Sequence, residues 1–187
     1  MRKCRHCKAE LPPVKLSDKI EAKGFCSFAH ADAYRRGRPT TPKPKQEKLK
    51  SIAQELDAAA VLCQRMVRLK AADDEGYCTC ITCGRVSQWN DGMQGGHFIE
   101  RGKTATKIDE TNVHPQCRNC NKFRMKISSV VLDYEQKLID YYGREHVEDM
   151  KRRAKQPFKP DRQWIAEQVE YFKEQIAFHE KRLGVRS

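Results

Sequence analysis

Cys80-Ile-Thr-Cys83, Gln94-Gly-Gly-His97-Phe-Ile-Glu-Arg101 and Asn112-Val-His-Pro-Gln-Cys117-Arg-Asn-Cys120-Asn121-Lys122 are the stretches on which the fold turns. The two C-x2-C knuckles have the spacing of a Cys4 zinc site, in which two tight loops each give two thiolates to one tetrahedral ion. The segment between them, Gly84 to Gln116, is longer than a simple zinc ribbon needs, so something is built inside it. Two cysteines are left over. Cys63 reads as a small core residue of a helix. Cys78 competes with Cys80 for the metal, but only Cys80 has the C-x2-C spacing.

A second set lies at the start of the chain. Cys4-Arg-His-Cys7 and Cys26-Ser-Phe-Ala-His30 give C-x2-C and C-x3-H. These four side chains suit a second zinc, with His6 as an alternative to His30. A short segment without a core of its own is stabilised by such a metal. The composition favours this reading. Charged residues make up 33% of the 187-residue chain, so a small apolar core is expected, yet there are nine cysteines. Met1 to Glu10 has no apolar signal region, and no run approaches the roughly 20 apolar residues of a membrane span. A reducing interior is the expected setting, where paired cysteines mean metal more often than disulfide.

The formal net charge is +12, which points to a polyanion such as nucleic acid. The first fifty residues concentrate it, with 14 Lys/Arg against 5 Asp/Glu. Four segments are expected. Residues 1–36 form a zinc-binding module. Residues 37–75 comprise a Pro- and Lys-rich linker (37–48) and a helix over about 49–72, with Leu49, Ile52, Ala53, Leu56, Ala60, Cys63 and Val67 on one face. Residues 76–127 hold the chemistry. Residues 128–187 are helical. There Ser128 or Ser129 caps a helix carrying Val131, Tyr134, Leu138 and Tyr141, which Gly143 stops. A short helix covers Glu145 to Ala154. Asp161 caps a last one, with Ile165, Val169, Phe172, Ile176 and Leu183 on its stripe.

The cysteine frame, the Gly-His-aromatic turn and the C-x2-C-N ending resemble the HNH endonucleases, and within them the phage endonuclease VII arrangement. Over nearly its whole length the chain looks like the phage NinG/Rap recombination endonucleases. The resemblance implies an α+β fold: a small zinc-bound ββα-metal core with an N-terminal zinc knuckle module and flanking helices. By position it makes His97 the general base, Asn121 a ligand of a catalytic Mg2+ or Mn2+, and Asn112 a brace of the loop. One position departs from the family. HNH enzymes place an Asp or His before the base as a second metal ligand, and here Gly96 stands there. Asp91, Glu100, Asp109, Glu110 and His114 are the substitutes, and His114 is favoured.

These residue types suit phosphodiester hydrolysis. A neutral imidazole takes a proton from water near neutral pH, and an Asn carbonyl is a hard donor suited to Mg2+. The cluster Arg101, Lys103, Lys107, Arg118, Lys122, Arg124 and Lys126 is expected to hold phosphates. The resemblance implies metal-dependent cleavage of branched recombination DNA, such as Holliday junctions and D-loops, in the bacterial host cytoplasm, and two structural zinc ions are expected. A homodimer is expected to suit a symmetric junction, with the helices at 49–72 and 161–183 as its interface. The competing reading is a non-catalytic, zinc-stabilised DNA-binding factor.

Overall fold

The computed structural model describes residues 2–11, 24–37 and 49–185. It divides into two compact units, Met1–Lys48 and Leu49–Ser187. Residues 38–48, most of the expected linker, lie outside the described residues.

The first unit is a knuckle and a helix. A single bridge joins Lys3 and Glu10, and the Cys4 N–H donates to the Ala9 carbonyl at 2.8 Å. Helix α1, Phe28–Arg36, is capped by Ser27, whose hydroxyl accepts from the His30 N–H. Among the described residues of this unit, the buried apolar cluster is Cys4, Leu11, Phe25 and Ala31. So small a cluster cannot hold a fold by apolar burial alone.

The second unit is organised by α2, Ile52–Ala71. Ser51 and Gln54 form a reciprocal capping box, which starts the helix after Leu49. Leu49 is therefore outside the helix and 89% exposed, not part of its apolar face. That face is wider than the expected stripe and adds Ala59, Met66 and Leu69. The reason is that α2 is covered twice, by the last helix and by a β-hairpin. Arg68 ties it down. Its guanidinium donates to the carbonyls of Gln64, Trp89 and Met93.

Two antiparallel hairpins follow. Strands β1 (Tyr77–Thr79) and β2 (Val86–Gln88) flank the first knuckle. The Gly84 φ of +74° lets the knuckle turn back, with its N–H on the Cys80 carbonyl. Strands β3 (Met93–His97) and β4 (Val113–Cys117) pair from Met93↔Cys117 to His97↔Val113. Helix α3, Arg118–Lys122, starts directly after β4 and carries the second knuckle. In chain order β3, β4 and α3 run strand, strand, short helix.

Helix α4 (Ser128–Tyr142) buries Val130, Tyr134 and Leu138 and packs against α5 (Arg144–Lys155). Neither Ser128 nor Ser129 caps it, because Ile127 holds the N-cap position. Tyr141, expected on its apolar face, is exposed. Helix α6, Arg162–Arg182, begins at Asp161, whose carboxylate accepts from the Trp164 N–H at 2.8 Å. Its stripe Ile165, Phe172 and Ile176 packs on α2 within the chain. Burying each such side chain is worth about 1.5–3 kcal/mol. The two stripes expected to make a dimer interface are thus used on each other. The main core of this unit runs from Leu56 to Ile176, and a smaller cluster joins Ile81, Tyr134, Leu138 and Val147.

Candidate active site and metal centres

The hairpin turn of β1–β2 and the start of α3 bring the sulfurs of Cys80, Cys83, Cys117 and Cys120 within 4.8 Å of one another. In the first unit the same holds for Cys4, Cys7, Cys26 and one His30 nitrogen. Four thiols this close resist ionising together. Burial pushes the Cys80 thiol up, but the backbone N–H groups around it pull it down to about 6. Burial and the neighbouring thiols push Cys120 up to about 12. In the first unit Cys4 is likewise drawn down to about 6 and Cys26 raised to about 11. A divalent ion relieves that repulsion. Four sulfurs in one site, and three sulfurs with an imidazole nitrogen in the other, are both donor sets that fit zinc. His6 is not part of the cluster, although its ring lies 4.9 Å from that of His30.

His97 ends β3. Its Nε2 lies 2.9 Å from the Lys107 carbonyl. A carbonyl only accepts, so Nε2 carries the hydrogen and Nδ1 is the bare, basic nitrogen. Burial lowers the ring's pKa further, despite the carbonyl's opposing pull. The ring is therefore neutral near pH 7. It lines an open cleft of about 360 Å³ together with Gln64, Glu100, Arg101, Asn121 and Met125.

Asn121 reaches this cleft from α3. Its amide nitrogen donates to Gln94 Oε1 at 2.8 Å, which fixes the side chain and leaves the carbonyl oxygen as its available donor atom. Asn112 is fully buried. Its Oδ1 accepts from the Ile99 N–H, and its Nδ2 donates to the carbonyls of Ile99 and Thr106. Both ends of the loop after His97 are held by this one side chain.

The two glycines before His97 are there for close approach. A Cβ on Gly95 would lie 2.6 Å from Gln64 Cβ and 2.8 Å from its Cα, so α2 could not sit on the strand. A Cβ on Gly96 would collide with the Gln116 side-chain amide on the other face. Gly96 carries no side chain, so position 96 offers no ligand beside His97.

His114 pairs with Gly96 and shares that opposite face. The structure does not bring it to His97 and Asn121. It belongs to a hydrogen-bonded chain whose direction is fixed. The Gly96 carbonyl accepts from the Tyr134 O–H at 3.1 Å. The Tyr134 oxygen then accepts from His114 Nδ1 at 3.2 Å, and His114 Nε2 accepts from the Tyr142 O–H at 2.9 Å. Burial lowers His114 to about 4, which keeps this neutral tautomer. Of the other substitutes, Asp109 is held by Arg153 and Glu110 by Lys70. Asp91 is exposed in the turn between the hairpins. Glu100 alone among these five shares the cleft with His97 and Asn121.

Residues 1–183 match the family described as Bacteriophage Lambda NinG protein. The chain belongs to the NinG family. No curated protein and no solved structure matches it.

In this NinG-family chain the seven expected phosphate-holding residues fall into two sets. Arg101 and Lys107 face Asp57 of α2, and Lys103 faces Glu100. Arg118, Lys122, Arg124 and Lys126 have no carboxylate partner among the described residues, and residues 111–132 contain no Asp or Glu. Gln64 and Gln94 were missed in the sequence reading. Gln64 lies on the cleft from a distant helix, which no local signal announces, whereas Gln94 sits in the quoted Gln-Gly-Gly-His turn. Among the described residues no helix is long and apolar enough to cross a membrane.

Proposed function

We propose that this chain is a metal-dependent DNA endonuclease of the HNH class, related to endonuclease VII, that cuts branched recombination DNA in the phage-infected host cytoplasm. The observation that carries the proposal is His97: a neutral ring, anchored through Nε2 and basic at Nδ1, in one cleft with the Asn121 amide. That is the arrangement a general base for water requires. His97 Nδ1 takes the proton of the attacking water. Asn121, with Glu100 in place of the absent residue at 96, would hold a divalent cation. Such an ion supplies charge neutralisation at the phosphate and at the leaving 3′ oxygen. Asn112 keeps the Lys107 carbonyl in position by holding Ile99 and Thr106. Arg118, Lys122, Arg124 and Lys126 hold the DNA backbone, and the two zinc ions fix geometry only. Two copies would suit a symmetric junction, through a surface other than the α2 and α6 stripes.

A second reading is a non-catalytic DNA-binding recombination factor, and Gly96 favours it. One experiment separates the two. Purified protein is incubated with a labelled four-way junction and a matched linear duplex, in Mg2+, Mn2+ or EDTA, beside His97→Ala. Metal-dependent junction cutting that disappears in the variant supports the nuclease. Tight binding without cutting under either metal supports the binding factor.

A further inference from the structure

Phe123 follows the cleft residue Asn121 by two positions and is 62% exposed. It is not a loose loop residue. Its N–H donates to the Asn119 carbonyl at 3.0 Å, its carbonyl accepts from Lys126, and the Ile127 N–H donates to Arg124. The turn is pinned from below by Met125, which packs against the Tyr134 and Leu138 cluster. Behind it stands Cys120 of the Cys4 set. Phe123 and Ile127, the latter 49% exposed, are therefore presented outward by a rigid segment.

Their neighbours along the chain are Lys122, Arg124 and Lys126, the cations without carboxylate partners among the described residues. An apolar ring set among cations without carboxylate partners complements one kind of surface, in which phosphates border an exposed base face. A protein partner would call for carboxylates or an apolar face without this charge. Intact duplex DNA shows its base edges but not its base faces. Faces become available where stacking is interrupted, at a branch or an unpaired end.

We propose that Phe123 is a specificity-determining wedge that stacks on an unstacked base while the adjacent cations hold the flanking phosphates. The inference rests on the nuclease reading for its DNA, but its test does not depend on cutting. Wedge and cleft are joined by Asn121 and Met125, so a base held by Phe123 sets which phosphate reaches His97. Preference for interrupted DNA then resides in one side chain rather than in sequence readout.

The test uses full-length His97→Ala protein, zinc-loaded, in EDTA-free buffer without Mg2+ or Mn2+, so that nothing is cut. The probe is a four-way junction with the fluorescent adenine analogue aminopurine at the branch, beside a duplex with the same analogue inside a helix. Binding should raise the fluorescence at the branch and leave the duplex signal flat. Adding Phe123→Ala should abolish the rise and weaken junction binding roughly ten-fold, the scale of one stacked base. Duplex binding should change little, and Phe123→Trp should restore junction affinity. An unchanged rise in Phe123→Ala overturns the proposal. So does an equal loss on junction and duplex, or a change in oligomeric state that assigns the ring to a protein contact. Absence of all DNA binding by the parent overturns the nuclease reading as well, whereas binding without base opening overturns the wedge alone.

Discussion

The side-chain amide of Gln116 occupies the place that a Cβ on Gly96 would need. Gln116 is fully buried, and its Nε2 donates to Thr82 Oγ1 at 2.6 Å, so it cannot swing aside freely. Introducing the acidic residue that HNH enzymes carry before the base should therefore not promote cutting. Gly96→Asp forces a side chain, and a charge, into the packed face away from His97. Overpacking alone costs about 1–3 kcal/mol, and the buried carboxylate adds to it. A thermal melt should show a large drop without any gain in cutting. Gly96→Ala should cost less and be partly relieved by Gln116→Ala. A Gly96→Asp variant that melts like the parent and cuts faster would show that the face is open after all.

On the nuclease reading, His97 should set the pH dependence of cutting. The base works as the neutral ring, and burial lowers its pKa below the ordinary 6.5. Cleavage should hold level above pH 6.5 and fall as pH drops through a midpoint below that value. His97→Ala should lose about 10²–10⁴-fold in rate and the acid limb with it. Single-turnover rates on a junction at saturating Mg2+, from pH 5 to 8, test this. A midpoint above 6.5 would mean the titrating group is not this ring.

His114 acts on stability instead. Its folded-state pKa is depressed to about 4 by burial. A histidine held neutral in the fold contributes stability above its unfolded pKa, and that stability drains as pH falls from about 6.5 toward 4. The full contribution is on the order of 3 kcal/mol at most. His114→Gln should lower stability at pH 7 and show a flatter decline than the parent across that window. Zinc release in acid affects both proteins, so the difference between them is the quantity to read. Denaturant melts at several pH values supply it. Cutting by the folded variant should survive, because His114 lies outside the cleft.

Much of this architecture is legible in the chain because spacing does the work. The C-x2-C pairs needed only short turns, and α6 announced itself through Asp161 and the repeat of Ile165, Phe172 and Ile176. The β1–β2 hairpin was not legible. Its strands, Tyr77–Thr79 and Val86–Gln88, are too short to show a two-residue alternation. Glu100 rather than His114 reaches the cleft for a reason that sequence proximity hides. His114 is near the second knuckle in the chain, but strand register turns it to the far face with Gly96. Leu49 and Tyr141 fitted a helical period and are nevertheless exposed, because Ser51 starts α2 after one of them and the other, among the described residues, meets only the ring edge of Tyr142.

The metal centres predict a stoichiometry. Purified protein should carry two zinc ions per chain, and Cys117→Ser should carry one. Stripping both should unfold the first unit, whose apolar cluster is too small to stand alone, and loosen the hairpin against α3. Elemental analysis and circular dichroism before and after a strong chelator report both effects. One zinc per parent chain would remove one of the two assignments.

The ion pairs sort the basic residues by their use. Arg101 and Lys107 already face Asp57, and Lys107 is also largely covered. A phosphate would have to displace that carboxylate before either could bind it. Lys122 and Lys126 face no carboxylate among the described residues, and their charge is available at once, whereas the Arg124 guanidinium also donates to Cys120 Sγ at 4.0 Å. Each that contacts a phosphate should lower the slope of log affinity against log salt by about 0.9 when replaced by alanine. Arg101→Ala and Lys107→Ala should change the slope little, and Asp57→Asn should strengthen binding by freeing both. Affinity for a junction by the His97→Ala protein, measured over a range of salt concentrations, gives every slope in one series. Equal slopes for the two sets would mean that Asp57 releases its partners on contact with DNA, and that the binding face extends across α2 rather than ending at the turn around Phe123.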